Sequence, residues 1–214
     1  FTALPFTHRP APTNPGLRPS YQGSNPMSDV WSAQAIQMVV ANLPKAIKGD
    51  KVCQKEMLLA ATFAGFGFGN AGCHLPHGMS YPVSSNVRDF YPTGYPNDHP
   101  IIPHGMSVIL NAPAVFRWTA PANIERHLHV AELMGIDISR ISPSDAGEAT
   151  ANAIIDLMKR TMMPNGLSAV GYSLSDIPGL VAGTLPQHRV TKLSPRPFNE
   201  KILANLFQDA MSYW

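Results

Sequence analysis

Apolar residues recur at three-to-four spacing through Met27, Val30, Trp31, Met38 and Val39. This predicts an amphipathic helix opened by Asn25-Pro26, with asparagine as cap and proline at the first helical position, and ending near Pro44. Lys48 to Lys51 is a polar turn. Val52 to Phe66 is then apolar and rich in small residues over a helical length, so a buried helix is expected. Gly65, Gly67, Gly69 and Gly72 follow closely. Each weakens a helix by about 1 kcal/mol relative to Ala, so their concentration implies close backbone approach or a break, with tight helix packing the simpler reading at any one position. A new helix starting near Gly72 would hold Pro76 in its first turn and carry His77 and Tyr81, four apart, on one face.

Asn86 to Pro100 is rich in Pro, Asn, Asp and Tyr and reads as a surface loop able to gate a site. Beyond it, Gly105 to Ala120 reads as an apolar helix interrupted at Pro113, and Pro121 to Met134 as an amphipathic helix stopped by Gly135. Ser142 to Asp145 fits a capping box opening a helix to about Met163, and Ser173 to Asp176 repeats the device for a short helix through Leu185. His188 and Arg189 are expected in an exposed loop. Asn199 should cap a last helix whose apolar stripe is Ile202, Leu203, Leu206, Phe207 and Ala210. Residues 1–25 read as an irregular, proline-rich arm that wraps a surface, because each proline removes an amide donor and restricts its predecessor. Nowhere does alternation of period two persist. Only Ser107 to Leu110 and Ala169 to Tyr172 look strand-like, so the fold class is all-α, with residues 26–214 forming one helical domain.

Composition changes this picture in two ways. Only 14% of the 214 residues are charged, against roughly a quarter in typical soluble domains. A surface so sparsely charged predicts a face packed against another domain or a second copy in a homo-oligomer. The net charge of +2, with no Lys/Arg cluster or aromatic-interleaved basic stripe, gives no support for nucleic acid as a partner. No apolar run approaches the roughly 18 to 20 residues of a bilayer span, so a soluble protein with no membrane partner is expected. Cys53 and Cys73 lack CxxC spacing, and a reducing compartment suits them better than a disulfide framework.

Candidate chemistry gathers between Ala60 and Ser107, which holds four of the eight histidines. Pro-His-Gly-Met-Ser is written twice, at Pro76 to Ser80 and Pro103 to Ser107, giving His77 and His104 near-identical settings. Two readings fit. Paired imidazoles bind divalent first-row metals, although such sites usually take three or four protein ligands. Equally, His-Gly after Pro suits a helix start. His74 falls three residues before His77 and suits either a substrate contact or solvent. His99 has only its nearness to His104 to suggest a ligand. His127 and His129, two apart, would point different ways on a helix, and surface positions are expected for both.

The run GFGFGNAGCHLPHGMSYP from Gly65 to Pro82, followed by Pro103-His104-Gly105, closely resembles the metal-binding segment of the iron-containing alcohol dehydrogenases. Ser24 to Trp31, Asp98 to Val108, Ala169 to Pro197 and the end of the chain look like the hydroxyacid-oxoacid transhydrogenase branch of that family. The resemblance covers nearly the whole chain. It implies the helical metal-binding domain of the iron-containing alcohol dehydrogenase / dehydroquinate synthase-like fold, with His77 and His104 as two of four ligands to Fe²⁺ or Zn²⁺. It also implies that an Asp and a His, four apart, lie just upstream of Phe1 as the other two. A nucleotide-binding half with a Gly-rich phosphate loop, absent from this chain, would hold NAD(H) and lie earlier still, so the chain is expected to be the C-terminal part of a longer enzyme and inactive alone. Many members carry a further histidine near the nicotinamide where this chain has Tyr81, as the transhydrogenase branch does. That leaves Tyr81 as the one catalytic candidate.

The branch implies hydride transfer from 4-hydroxybutyrate to 2-oxoglutarate, giving succinic semialdehyde and 2-hydroxyglutarate, in the mitochondrion. Both substrates are carboxylates that need a cationic partner, and sequence does not choose among Arg88, Arg117, Arg126 and Arg189. An ordinary NAD-dependent iron-containing alcohol dehydrogenase, or a structural fragment without catalysis, are the alternatives.

Overall fold

The chain, described over residues 1–214 by a computed structural model, has two 3-10 turns in the arm expected to be irregular (Phe6–His8 and Pro15–Leu17), and its first α-helix starts where the sequence signals it. Helix α1 (Pro26–Ala46) opens at Asn25, whose Oδ1 accepts from the Ser28 amide at 3.0 Å, and it carries Pro44 in its last turn. Gly49 turns the chain at φ 94°, and Asp50 Oδ1 then accepts from the amides of Val52 and Cys53 at 2.9 and 3.0 Å to start α2 (Lys51–Ala71). The two helices form a hairpin stapled by Trp31, whose ring lies 5.3 Å from Phe63 and 5.5 Å from Phe66.

α2 departs from expectation twice. It continues unbroken through Gly65, Gly67 and Gly69, because of these only Gly67 meets a neighbour: a Cβ there would lie 2.3 Å from Ser32 Oγ and 3.2 Å from Ser32 N on α1. Nor is α2 buried, since Val52, Leu58 and Phe66 are 70%, 73% and 57% exposed. It packs chiefly along α1, and its outer face meets no other element. Met27 and Val30 of α1 are likewise exposed.

Gly72, at φ 80°, ends α2 in a conformation that favours glycine, with Leu193 and Tyr21 closing the space a Cβ would need. Then come α3 (Leu75–Ser85), a loop over 86–103, α4 (His104–Ile109), α5 (Ala112–Thr119) and α6 (Ile124–Leu133). The remaining helices are α7 (Ala146–Arg160), α8 (Ile177–Thr184), a single turn α9 (His188–Thr191) and α10 (Glu200–Asp209). Arg189 and His188 thus sit on a helical turn, exposed as expected but not in a loop. Asn199 caps α10 through Ile202 N–H at 2.9 Å.

The fold is all-α. No strand forms, and the one β-type contact is an isolated bridge between Pro5 and Ser24. Both strand-like stretches close their hydrogen bonds locally instead, Leu110 N–H on Met106 at 3.1 Å and Tyr172 N–H on Leu167 at 3.2 Å, because no partner strand is at hand. The Ser173 device works, with Asp176 Oδ2 accepting from Ser173 N–H at 2.8 Å. The Ser142 device does not: its hydroxyl pairs with Ser144 at 2.9 Å, and a 3-10 turn (Pro143–Asp145) precedes α7. α7 also stops at Arg160, where Thr161 and Met162 leave helical geometry, Met162 at φ 58°.

The core lies among α3, α5, α7, α8 and α10, around Met79, Leu110, Met158, Leu203, Leu206 and Phe207. Burial of such side chains contributes about 1.5 to 3 kcal/mol each. Small residues let α3 close on its neighbours: Gly78 faces Thr191 of α9, and Gly183 of α8 faces Pro82. The N-terminal arm does wrap a surface, Leu4 N–H reaching Leu193 at 2.8 Å while Gln22 and Gly23 N–H reach Asn70 and Ala71 at 2.9 and 3.0 Å.

Candidate metal centre

The two copies of Pro-His-Gly-Met-Ser become the first turns of α3 and α4, and that shared geometry presents both imidazoles at one place. The rings of His77 and His104 lie 5.3 Å apart, centroid to centroid, inclined at 61°. Tyr81, one turn further along α3, lays its ring at 28° to that of His104 with centroids 6.1 Å apart, and it is itself 39% exposed. His77 is half-buried and His104 exposed, so the pair faces an open side.

Burial, and then the nearness of His104, pushes the His77 imidazole down to about 4. It is therefore neutral at physiological pH, the form in which histidine coordinates metal. Two imidazoles side by side at the starts of two helices are a donor pair of the kind a divalent transition metal takes. No third His, Cys, Asp or Glu of the chain joins them, so the chain by itself offers no group of three metal donors at this place.

Each repeat also uses its serine. Ser80 Oγ donates to the His77 carbonyl at 2.7 Å, and Ser107 Oγ to the His104 carbonyl at 2.8 Å, both serines being fully buried. Ser84 Oγ, two turns beyond His77 on α3, donates across to Ser107 Oγ at 2.9 Å and lies 3.1 Å from the Ile102 carbonyl. The repeat itself was the signal for Ser80 and Ser107. Nothing in the sequence marks Ser84.

The remaining histidines stand apart from this pair. His74 caps α3 in position but is buried, not solvent-facing, its Nε2 2.9 Å from Thr2 Oγ1 and its Nδ1 without a partner. Burial pushes it down to about 3. His127 corrects the surface expectation: it is fully buried, with Nδ1 2.8 Å from the Asn123 carbonyl and Nε2 2.9 Å from Thr119 Oγ1. Because a carbonyl only accepts, Nδ1 carries the proton and Thr119 donates to Nε2, a neutral tautomer that burial favours. His129 is exposed beside Glu132 and His99 beside Asp98, at 3.1 and 2.9 Å.

The four arginines separate as well. Arg88 pairs with both oxygens of Asp176 at 2.9 Å, Arg117 with Glu148 at 2.7 and 3.0 Å, and Arg126 with Asp29 at 2.5 and 2.9 Å. Arg189 alone meets no carboxylate; it donates to Tyr21 Oη at 2.5 Å and lies over that ring at 4.9 Å.

Comparison with known proteins bears on this geometry. Residues 20–211 match the model of the Fe-containing alcohol dehydrogenase family, C-terminal. The chain is 53% identical over 218 residues to a probable mitochondrial hydroxyacid-oxoacid transhydrogenase of Dictyostelium discoideum, covering all of this chain and 40% of that protein. It is 49% identical to the mitochondrial hydroxyacid-oxoacid transhydrogenase of Xenopus tropicalis and 48% to that of Homo sapiens, covering 47% and 46% of them. The chain thus spans under half the length of these relatives. Among solved structures, 1,3-propanediol oxidoreductase superposes with a TM-score of 0.77 at 28% identity, over 88% of this chain and 46% of that one. An alcohol dehydrogenase from Oenococcus oeni shares the fold, with a TM-score of 0.76 at 23% identity over 87% of this chain and 45% of that one. With the family model matched over most of its length and the doubled histidine motif brought to one place, the chain belongs to the iron-containing alcohol dehydrogenase family.

Proposed function

We propose that this chain is the metal-binding helical part of a mitochondrial hydroxyacid-oxoacid transhydrogenase, which moves a hydride from 4-hydroxybutyrate to 2-oxoglutarate through nicotinamide. The observation that carries this reading is the identity of 48 to 53% to transhydrogenases over the whole chain, against 28% to 1,3-propanediol oxidoreductase. An ordinary alcohol dehydrogenase is accordingly the weaker reading.

In this function His77 and His104 would hold Fe²⁺ or Zn²⁺ through their imidazole nitrogens. The ion supplies Lewis acidity toward the hydroxyl or carbonyl oxygen of the substrate. Burial keeps His77 unprotonated, so no proton competes for its lone pair near neutral pH. Tyr81 flanks His104 and presents an exposed face, which suits a group that orients substrate beside the ligands. A substrate carboxylate needs a cation, and Arg189 is the one of the four arginines whose charge no carboxylate of the chain already neutralises.

The test is turnover in a protein of the relatives' full length that carries this chain. Formation of 2-hydroxyglutarate from 2-oxoglutarate, dependent on 4-hydroxybutyrate and without added nucleotide, is the expected result. Oxidation of 4-hydroxybutyrate only with stoichiometric free NAD would replace this reading by that of an ordinary dehydrogenase.

A further inference from the structure

The serines of the doubled motif differ in one respect from ordinary helix back-bonding. A Ser hydroxyl returning to the carbonyl three or four residues earlier is a common local device, and Ser80 to His77 is no more than that. Ser107 makes the same local bond to His104, but its oxygen also receives a hydroxyl from another helix. That donor, Ser84, is on α3, the helix that carries His77, and it is 7 residues, about two turns, further along the same face.

The hydroxyls therefore form a directed chain. Ser84 O–H, a single proton, is shared between Ser107 Oγ at 2.9 Å and the carbonyl of Ile102, two residues before α4, at 3.1 Å, and Ser107 O–H goes to the His104 carbonyl at 2.8 Å. Below it, Asn111 Nδ2 donates to the Ser107 carbonyl at 2.8 Å, so Ser107 is fixed from both sides. Ser107 and Asn111 are fully buried. α4 is only six residues long and follows a long loop, so its place depends on contacts with its neighbours: packing on α3, the buried Ile102 and Leu110 at its two ends, and this hydroxyl pair.

We infer that Ser84 is a positioning residue for the metal centre: through Ser107 it sets the first turn of α4, and hence His104, relative to His77 on its own helix. This rests on the reading of His77 and His104 as ligands. Groups that orient metal ligands from behind typically carry about 10 to 100-fold in metal affinity. A bond that merely held α3 against α4 would carry stability and leave affinity alone.

Calorimetric titration of Zn²⁺ into a protein of the relatives' full length that carries this chain, paired with thermal unfolding, tests this on Ser84→Ala, Ser84→Thr and His77→Ala. Ser84→Ala is expected to weaken Zn²⁺ binding by about tenfold or more, while Ser84→Thr, which keeps the hydroxyl, restores most of it. Loss of binding in His77→Ala with wild-type affinity in a folded Ser84→Ala overturns the positioning role and leaves the ligand pair standing. Unchanged binding in His77→Ala overturns both. Should Ser84→Ala fail to fold, Ser107→Thr and Ser107→Ala provide the same comparison from the accepting side, and equal affinity in the two would count against the inference.

Discussion

His77 and His104 come from different helices yet hold their imidazoles 5.3 Å apart, and no other histidine ring joins the pair. If both are ligands, His77→Ala and His104→Ala should each abolish Zn²⁺ binding measured by calorimetry while leaving the helical circular dichroism signal nearly unchanged. His99→Ala and His129→Ala, both exposed beside a carboxylate, should bind as the parent does. Were the two motif histidines mere helix-start residues, their loss would cost about 0.5 to 2 kcal/mol and spare the metal. Full Zn²⁺ occupancy in either variant would remove the ligand assignment.

Stability should fall as pH drops from 6.5 toward 3. The folded chain holds His74 near 3 by burial, against 6.5 when unfolded, so between those values the unfolded chain binds the extra proton. The stabilisation is complete above 6.5 and is lost progressively below it; His127, also depressed by burial, adds in the same sense. Below 3.8 the Asp176 carboxyl, held near 2 chiefly by its hydrogen bonds to Arg88, begins to contribute too. Thermal unfolding at pH 7 and pH 5 should show a smaller drop for His74→Gln than for the parent chain. An identical drop would contradict this origin of the acid sensitivity.

The three glycines inside α2 should respond oppositely to substitution. Gly65 and Gly69 have open space where a Cβ would go, so Gly65→Ala and Gly69→Ala should each gain about 1 kcal/mol from helix propensity. At Gly67 a Cβ alone would lie 2.3 Å from Ser32 Oγ and 3.2 Å from Ser32 N, so the still larger valine overpacks the hairpin by about 1 to 3 kcal/mol, which outweighs that gain. Melting temperatures that rise for Gly67→Val would show the hairpin to be looser than its geometry states.

Arg189→Ala, made in the full-length protein, should raise the KM for 4-hydroxybutyrate with little change in metal content. Arg117→Ala, whose partner Glu148 lies on α7, should leave that KM near the parent value. Equal KM shifts in both would argue against a dedicated carboxylate contact at Arg189.

Much of this was legible in the chain. Local signals that work alone were readable: Asn25, Gly135 and Asn199 mark helix ends through their own side chains or backbone, and the fold class followed from the absence of any period-two run. The exposure of α2 is not legible, because apolar content does not say whether a partner is present to cover it. The burial of His127 is hidden for the complementary reason: its setting is created by Thr119, Asn123 and Thr150, and Thr150 lies 23 residues away in sequence. At the candidate metal centre the doubled motif picks out both histidines, but the nearness of their rings depends on the loop over 86–103 bringing α4 back beside α3. Ser84 was invisible for the same reason.

The arm's anchorage has a kinetic corollary. Leu4 is held by the Leu193 carbonyl, and Phe1 by Arg126, so the first residues of the chain depend on partners made much later. Contacts of such long sequence separation form only after the intervening loop entropy has been overcome, and they are late events in folding. During refolding, hydrogen-exchange protection at the Leu4 amide should lag behind protection along α1 and α2, whose hairpin closes over a single short turn. On a ribosome the arm would wait, unseated, until the segment around Leu193 had emerged.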